Sequence, residues 1–256
     1  MRKLFTFLVL LTCGLPLGAW GQMVPQILDD AFGYRLPSPP GVAVWWCEAT
    51  YKVGRQRALP AETSATVKIE AARNEYEPFQ IVLRPDTALS NLVVTVSDFV
   101  RLGDGPSARI AATNVEVCAV EYVPVAIPSD SMGVAGEWPD PLSPWLGAIV
   151  VPAGANQPLW FTVYVPKDAP AGDYEAAVSI SAAGQPPVVV TAQLHVFNFA
   201  LSDVTHTRTA YYADVHVDPK WHRLATLPDR RFVWDLYMQN YRRHRVSPYS
   251  AHLYAP

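Results

Sequence analysis

The sequence predicts a two-layer antiparallel β-sandwich of jelly-roll type, followed by the β-α-β start of a (β/α)8 barrel. Three observations carry this expectation. Between Asn156 and Phe199 the side chains alternate, with Trp160, Thr162 and Tyr164, then Tyr174, Ala176, Val178 and Ile180, at every second position. That period of two marks half-buried strands. Proline and glycine interrupt these runs at Pro166–Gly172 and at Gly184–Pro187, where the chain has to turn. After Asp203 the period changes to that of an amphipathic helix.

The elements follow in order. Pro37, Pro39 and Pro40 stiffen a lead-in, and Val42 to Tyr51 is an apolar and aromatic strand with Trp45 and Trp46. Ala65 to Glu70 alternates briefly. A turn at Arg73 to Glu75 leads into a strand from Glu77 to Leu83, and Leu92 to Ser97 alternates again. Val115 to Val125 is a further strand, and Ile127 to Leu146, rich in Pro, Gly and Trp, reads as a long loop. With the three strands at Asn156 to Phe199 the count reaches roughly eight or nine, enough for two stacked sheets. In the last part, Thr209 to Val215 reads as a strand, Asp229 to Arg245 as a helix and Ser247 to Tyr254 as a strand. Asp229 is placed to cap the helix, whose apolar face carries Phe232, Val233, Leu236, Tyr237 and Tyr241. Strand, helix and strand make one unit of a parallel barrel, which needs about 250 residues to close. The expected division is a signal peptide at 1–21, a sandwich at 22–203 and an incomplete barrel's first unit at 204–256.

Arg2 and Lys3 precede the short apolar run Leu4 to Thr12, and small residues follow at Gly18, Ala19 and Gly21. This is the layout of a cleaved export signal, too short to span a bilayer comfortably. Export to the periplasm or the medium is expected, with no membrane span after cleavage. Thr12 before Cys13 is a poor match to a lipidation site. Half of the 256 residues are apolar and 17% are charged, which supplies ample core and excludes disorder. A net charge of −3 argues against nucleic acid as partner. The arginines Arg230, Arg231, Arg242, Arg243 and Arg245 fit the solvated face of a helix. Export permits disulfides, and the sequence leaves open whether Cys47 and Cys118 form a bridge or remain buried thiols. No Cys/His spacing suits a metal, and no cofactor is expected.

Candidate functional residues are few. Trp45, Trp46, Trp138, Trp145 and Trp160 suit either a sugar-stacking platform or a core and domain interface. The neighbouring acids Asp29–Asp30, Glu75–Glu77 and Glu137–Asp140 are more consistent with solvated turns than with the carboxylate pair of a glycosidase. Asp214 and His216 lie near the C-terminal end of the first expected barrel strand, where barrel active sites are built, and are the candidate substrate contacts.

The runs ARNEYEPFQIVLRP at 72–85, WPDPLSP at 138–144, NQPLWFTVYVPKDAPAGDYEAAVSI at 156–180 and VVVTAQLHVFNFALSD at 188–203 resemble the N-terminal sandwich domain of glycoside hydrolase family 123. Its members are β-N-acetylgalactosaminidases and related enzymes. Helix Asp229 to Arg245 with VSPYSAHLY at 246–254 resembles the start of that family's catalytic barrel. The resemblance implies substrate-assisted retention at a terminal N-acetylhexosamine. The substrate's 2-acetamido oxygen attacks the anomeric carbon, an Asp steadies the oxazolinium, and the adjacent Glu is general acid and base. This chain contains no Asp-Glu dipeptide, so no catalytic residue carries over to it. The implied role is an accessory domain and barrel start, expected to be inactive alone, of a hydrolase acting on glycans. The alternative is a non-catalytic carbohydrate-binding or structural sandwich of a cell-surface protein.

Overall fold

The computed structural model describes residues 26–103, 107–130, 133–144, 149–204, 206–207, 209–212 and 222–249. The expected signal segment, Cys13, Trp145, Asp214 and His216 lie outside the described residues. The chain divides into two compact units, one ending at Ala200 and the other beginning at Leu201.

The first unit is mainly β, with two sheets. One contains β1 (Tyr34–Arg35), β2 (Val42–Glu48), β4 (Glu75–Pro85), β10 (Gln157–Val165), β8 (Val115–Val125) and β9 (Gly136–Pro144), in that spatial order. The other orders β3 (Val67–Arg73), β12 (Val188–Ala200), β11 (Gly172–Ser181), β6 (Phe99–Arg101) and β7 (Arg109–Ile110), with β5 (Val93–Val96) also pairing β11. Neighbours run antiparallel throughout the first sheet. In the second, β3 and β12 pair in parallel, Val67 opposite Ala192 through Ala71 opposite Val196. This departs from an all-antiparallel reading. Alternation reveals which side of a strand is buried but not the direction of a neighbour more than a hundred residues away in the chain.

Two further corrections concern the strand count and the loop expected at Ile127 to Leu146. Among the described residues the sandwich has twelve strands, several of only two or three residues, too short to show a period. Part of the expected loop is β9, an edge strand on β8. Proline is tolerated there because one side of an edge strand needs no N–H donor. The register shift between Val120 and Tyr122 accommodates one extra residue on β9. It leaves Pro139 and Pro144 an even step apart in the pairing, so that both imide nitrogens turn away from β8.

The core lies between the sheets. Val44, Trp46, Phe79, Ile81, Leu83, Leu159, Phe161 and Val163 from one face meet Ile69, Tyr174, Ala176, Val178, Ile180, Val190, Ala192 and Leu194 from the other. Phe79 and Phe161 are stacked across the strand pair, with centroids 5.1 Å apart. Asn74 turns the chain sharply from β3 into β4 with a left-handed φ of 62°, a conformation that asparagine adopts at lower cost than most residues.

A second, smaller core sits on the outer side of the first sheet. Phe32, Trp45, Cys47, Val53 and Val82 cluster there, with Tyr51 and Leu59 packed against them. Arg57 plugs this cluster. It is 8% exposed, its Nη2 donates to the carbonyls of Asp30 and Phe32 at 2.9 Å each, and its guanidinium lies 4.1 Å from the Phe32 centroid and 4.6 Å from that of Trp45. Burial lowers its pKa from the ordinary arginine value.

In the second unit, β13 (Tyr211–Tyr212) and β14 (Pro248–Tyr249) pair in parallel, and the helix α1 (Leu227–Arg243) lies between them in sequence. This is a β-α-β order, consistent with a barrel start. Asp229 is the third helical residue rather than the cap. The cap is Thr226, whose Oγ1 accepts from the Asp229 N–H at 3.3 Å, while Asp229 Oδ2 accepts from the Thr226 N–H at 3.1 Å. This reciprocal capping box satisfies two otherwise unpaired donors.

Candidate functional site

The alternation of β4 and β10 sorts their side chains onto two faces. Phe79, Ile81 and Leu83 point inward with Leu159, Phe161 and Val163, which leaves Tyr76, Pro78 and Gln80 outward with Trp160, Thr162 and Tyr164. The upper part of this outer face is covered by the cluster around Arg57. The lower part is open. Tyr76 is opposite Tyr164, with ring centroids 4.7 Å apart at 33°, and Tyr76 is 52% exposed. Tyr164 donates its hydroxyl to Asn74 Oδ1 at 3.1 Å. Trp160, partly exposed, donates its Nε1–H to Thr162 Oγ1 at 3.1 Å. The result is a row of three rings, two of them held by hydrogen bonds at their polar ends.

The five tryptophans do not make one platform. Trp45 and Trp46 are buried, on the outer and the inner side of β2 respectively. Trp138 is partly exposed on β9 and donates to the Val134 carbonyl at 2.7 Å. Trp160 alone of the described ones joins the open aromatic row, and its partners Tyr76 and Tyr164 were not singled out by sequence reasoning. The signal that could have found them is parity: each lies an even number of residues from an outward-facing position on its own strand.

Each acid pair singled out in the sequence has structural employment through at least one of its members. Asp29 Oδ1 accepts from the Ala31 N–H at 2.9 Å, and Glu75 Oε2 from the Ala72 N–H at 2.6 Å. Glu137 faces Arg55 at 3.5 Å, and Asp140 faces Lys52 at 3.1 Å. Lys52 also donates to the Pro139 carbonyl at 3.1 Å, and Tyr122 donates its hydroxyl to the Val53 carbonyl at 3.0 Å. These bonds pin the covering segment to β8 and β9. An open hollow of about 340 Å³ between them is lined by Asp30, Arg55, Gln56 and Glu137 among others. Among the described residues no cluster of three or more His, Cys, Asp or Glu side chains could hold a metal. No helix among them is long and apolar enough to cross a membrane.

Cys47 and Cys118 are free and buried. Cys47, Gln80, Trp160 and Cys118 form one row across four neighbouring strands. Three interstrand steps of about 4.8 Å put the cysteines about 14 Å apart, twice the reach of a disulfide. Burial raises the pKa of both thiols, with Glu48 adding to the effect at Cys47 and Glu116 at Cys118.

Among the described residues Glu77 is the one carboxylate with a large shift. It sits on the inner side of β4 opposite Val163, and burial, then the neighbouring Glu75 carboxylate, pushes its pKa from 4.5 up to about 7. The folded state therefore holds this proton more tightly than the unfolded chain does. The stability it confers is complete below about pH 4.5, is lost as pH rises through about 7, and stays lost above that. Glu77→Gln should remove this loss. The variant is expected to be more stable than the parent at pH 8 by on the order of 1 kcal/mol, discounted for partial exposure. The gain should shrink towards zero near pH 5. Urea midpoints of both proteins across pH 5 to 8 test this; parallel pH profiles would refute it.

The family model for the glycoside hydrolase 123 N-terminal domain matches residues 47–182, the stretch from the end of β2 through β11. Among solved structures, the chain is similar to a family 123 glycoside hydrolase from Clostridium perfringens, described for glycolipid glycan hydrolysis, at 14% identity and a TM-score of 0.64. That match covers 73% of this chain and 33% of the other, so the chain spans about one third of that enzyme's length. Weaker likenesses include a PapD-like domain of human CEP192, at 12% identity and a TM-score of 0.31, covering 63% of this chain and 89% of that one. A Bacteroides ovatus GH5 xyloglucanase matches at 10% identity and a TM-score of 0.27, covering 59% and 21%. Likenesses at that level carry no argument. No curated protein matches the chain.

Proposed function

Because the chain belongs to the glycoside hydrolase 123 N-terminal domain family, we propose that it is the accessory sandwich and barrel start of an exported hydrolase that removes terminal N-acetylhexosamine from glycans with substrate-assisted retention. The observation that carries the reading is the match of the family model to residues 47–182, all within the sandwich unit. The proposal divides the chain into a cleaved signal at 1–21, the sandwich at 22–203 and the first barrel unit at 204–256. The parallel pair β13–β14 flanking α1 supports the last of these.

The chemistry proposed is nucleophilic participation by the substrate itself. The 2-acetamido carbonyl oxygen attacks the anomeric carbon as the glycosidic bond breaks, and a protonated acid delivers its proton to the leaving oxygen. Water then attacks the anomeric carbon from the face that the leaving group vacated, giving a proton to the conjugate base of that acid, which reopens the acetamide and retains configuration. No residue of this chain is assigned to either proton transfer. Asp214 and His216 are proposed as substrate contacts at the mouth of the barrel, where barrel enzymes place their reactive groups.

The test uses the protein encoded by the whole gene and pairs of aryl glycosides differing only at C2. We expect release from the 2-acetamido-2-deoxy-β-galactoside, with a β-configured first product by NMR, and at least a hundredfold slower release from the 2-hydroxy counterpart. Equal rates, or an inverted first product, would overturn the proposal.

A further inference from the structure

The two sheets treat their outer faces differently. The second sheet shows water a polar ladder: Gln193 donates to Glu175 at 2.8 Å, Thr66 to Gln193 at 3.1 Å, and His195 Nδ1 lies 2.6 Å from Asp173 Oδ1. Its rings, partly exposed Phe197 and exposed Phe199, are confined to the far end of β12, and its other exposed apolar side chains, Val93, Val100 and Val189, are aliphatic. The open half of the first sheet instead shows the aromatic row described above. Tyr76 and Tyr164 form one cross-strand pair, Pro78 and Thr162 the next, and Trp160 stands one pair further along the same face. Trp160 and Tyr164 are four residues apart on one strand, a span of about 14 Å, and two to three pyranose rings cover that length.

We propose that this row, centred on Tyr76, Tyr164 and Trp160, binds a neutral glycan chain, the apolar faces of successive pyranose rings lying on the aromatic faces. The chemistry that favours this occupant is local. An aromatic face carries partial negative charge and attracts the polarised C–H groups on one side of a pyranose. Hydrogen bonds from Tyr164 to Asn74 and from Trp160 to Thr162 fix two of the rings by their edges, and Tyr76 and Tyr164 cover one face of each other at 4.7 Å, so a ligand would meet the remaining faces. Pre-set rings lose little freedom on binding. Thr162, partly exposed, places a hydroxyl beside the rings, where sugar hydroxyls need partners. The charged side chain on the adjoining pairs is acidic, Glu116 opposite Thr162, which disfavours anionic glycans. The inference rests on the reading of the chain as part of a glycan hydrolase, and gives the sandwich a role in holding the substrate's chain away from the bond cleaved.

The experiment is an isothermal titration of the whole 256-residue chain with chitotetraose, cellotetraose and a sialylated oligosaccharide. Tyr76→Ala and Trp160→Ala serve as variants, and Val189→Ala, on the opposite sheet, as control. Tyr76 is half exposed, so its replacement leaves the fold intact, which the melting temperature verifies. Saturable binding of a neutral tetrasaccharide, weakened at least tenfold by Tyr76→Ala or Trp160→Ala and unchanged by Val189→Ala, is expected. Absence of binding to both neutral probes, equal binding by the variants, or preference for the sialylated probe would overturn it. So would sedimentation with phosphatidylcholine vesicles, or concentration-dependent self-association, that Tyr76→Ala abolishes while sugar binding is absent. Hydrolysis is assayed separately on the gene's full product. A sandwich that binds without cleavage leaves the surface standing and removes the hydrolase reading, and cleavage without binding does the reverse.

Discussion

Arg57→Ala is expected to destabilise the sandwich unit by on the order of 3 kcal/mol, a large part of a domain's ordinary margin. Arg57 joins the covering segment to the sheet by two routes. Its Nη2 satisfies the Asp30 and Phe32 carbonyls, and its guanidinium lies against Phe32 and Trp45. A charged donor bonded to a carbonyl contributes about 1.5–3 kcal/mol, and a desolvated cation–π contact about 2. The cost of burying the cation offsets part of this sum. Alanine removes the contacts and leaves a void beside Trp45, Cys47 and Val82, with two carbonyls unpaired. Arg57→Met separates packing from charge, since methionine refills the void without paying desolvation. Its loss should be less than half that of alanine. Urea denaturation followed by tryptophan fluorescence reads both variants. If alanine costs under 1 kcal/mol, Arg57 is a passenger and the segment is held by its apolar residues alone; if methionine costs as much as alanine, the carbonyl bonds dominate over packing.

The sequence showed the long strands and hid what covers them. In β10, β11 and β12 every second residue is buried against the other sheet, so a local count reveals the element. It picks the inner face of β11 through Tyr174, Ala176, Val178 and Ile180, but in β10 the alternating set read from the sequence, Trp160, Thr162 and Tyr164, turns outward and Leu159, Phe161 and Val163 are buried instead. Arg57 lies in a stretch with no period, and a lone arginine among polar neighbours suggests a solvated loop. Its burial depends on Phe32 and Trp45, which are distant in sequence. β9 was hidden by its own prolines, which mark a loop unless an edge position is known. The aromatic row was half legible. Parity within β4 and β10 puts Tyr76 and Tyr164 on the side away from the core, but their juxtaposition depends on the register between strands that lie some ninety positions apart. The cap of α1 was missed by three residues, because Thr226 and Asp229 are both good caps and only the observed bond directions choose between them. Asp214 and His216 followed from where a barrel builds its site, an argument about position that local pattern cannot test.

Limited proteolysis of the 256-residue chain should cut first between Leu201 and Arg245 and leave a resistant fragment ending near Ala200. The two units differ in how much of their apolar surface is removed from water. In the sandwich, Phe79, Phe161, Tyr174, Ile81, Leu83 and Leu159 are each under 2% exposed. In α1 no residue is buried, and Phe232, Leu236 and Tyr237 are 64%, 47% and 40% exposed. At about 25 cal/mol per Å², leaving that face half covered forgoes several kcal/mol relative to a helix packed on both flanks. The capping box at Thr226 returns only about 1 kcal/mol. A helix of 17 residues is marginal in water without such packing. Local opening of this unit should therefore be frequent, and cleavage should track the population of the open form. With trypsin, Arg230, Arg231, Arg242 and Arg243 supply the sites, and mass spectrometry of the early fragments locates the cuts. Adding a twofold excess of protease should shorten the lifetime of the full chain without shortening that of the core fragment. If the core fragment and the helix disappear at one rate, the two units unfold together, and the division at Ala200 marks no boundary in stability.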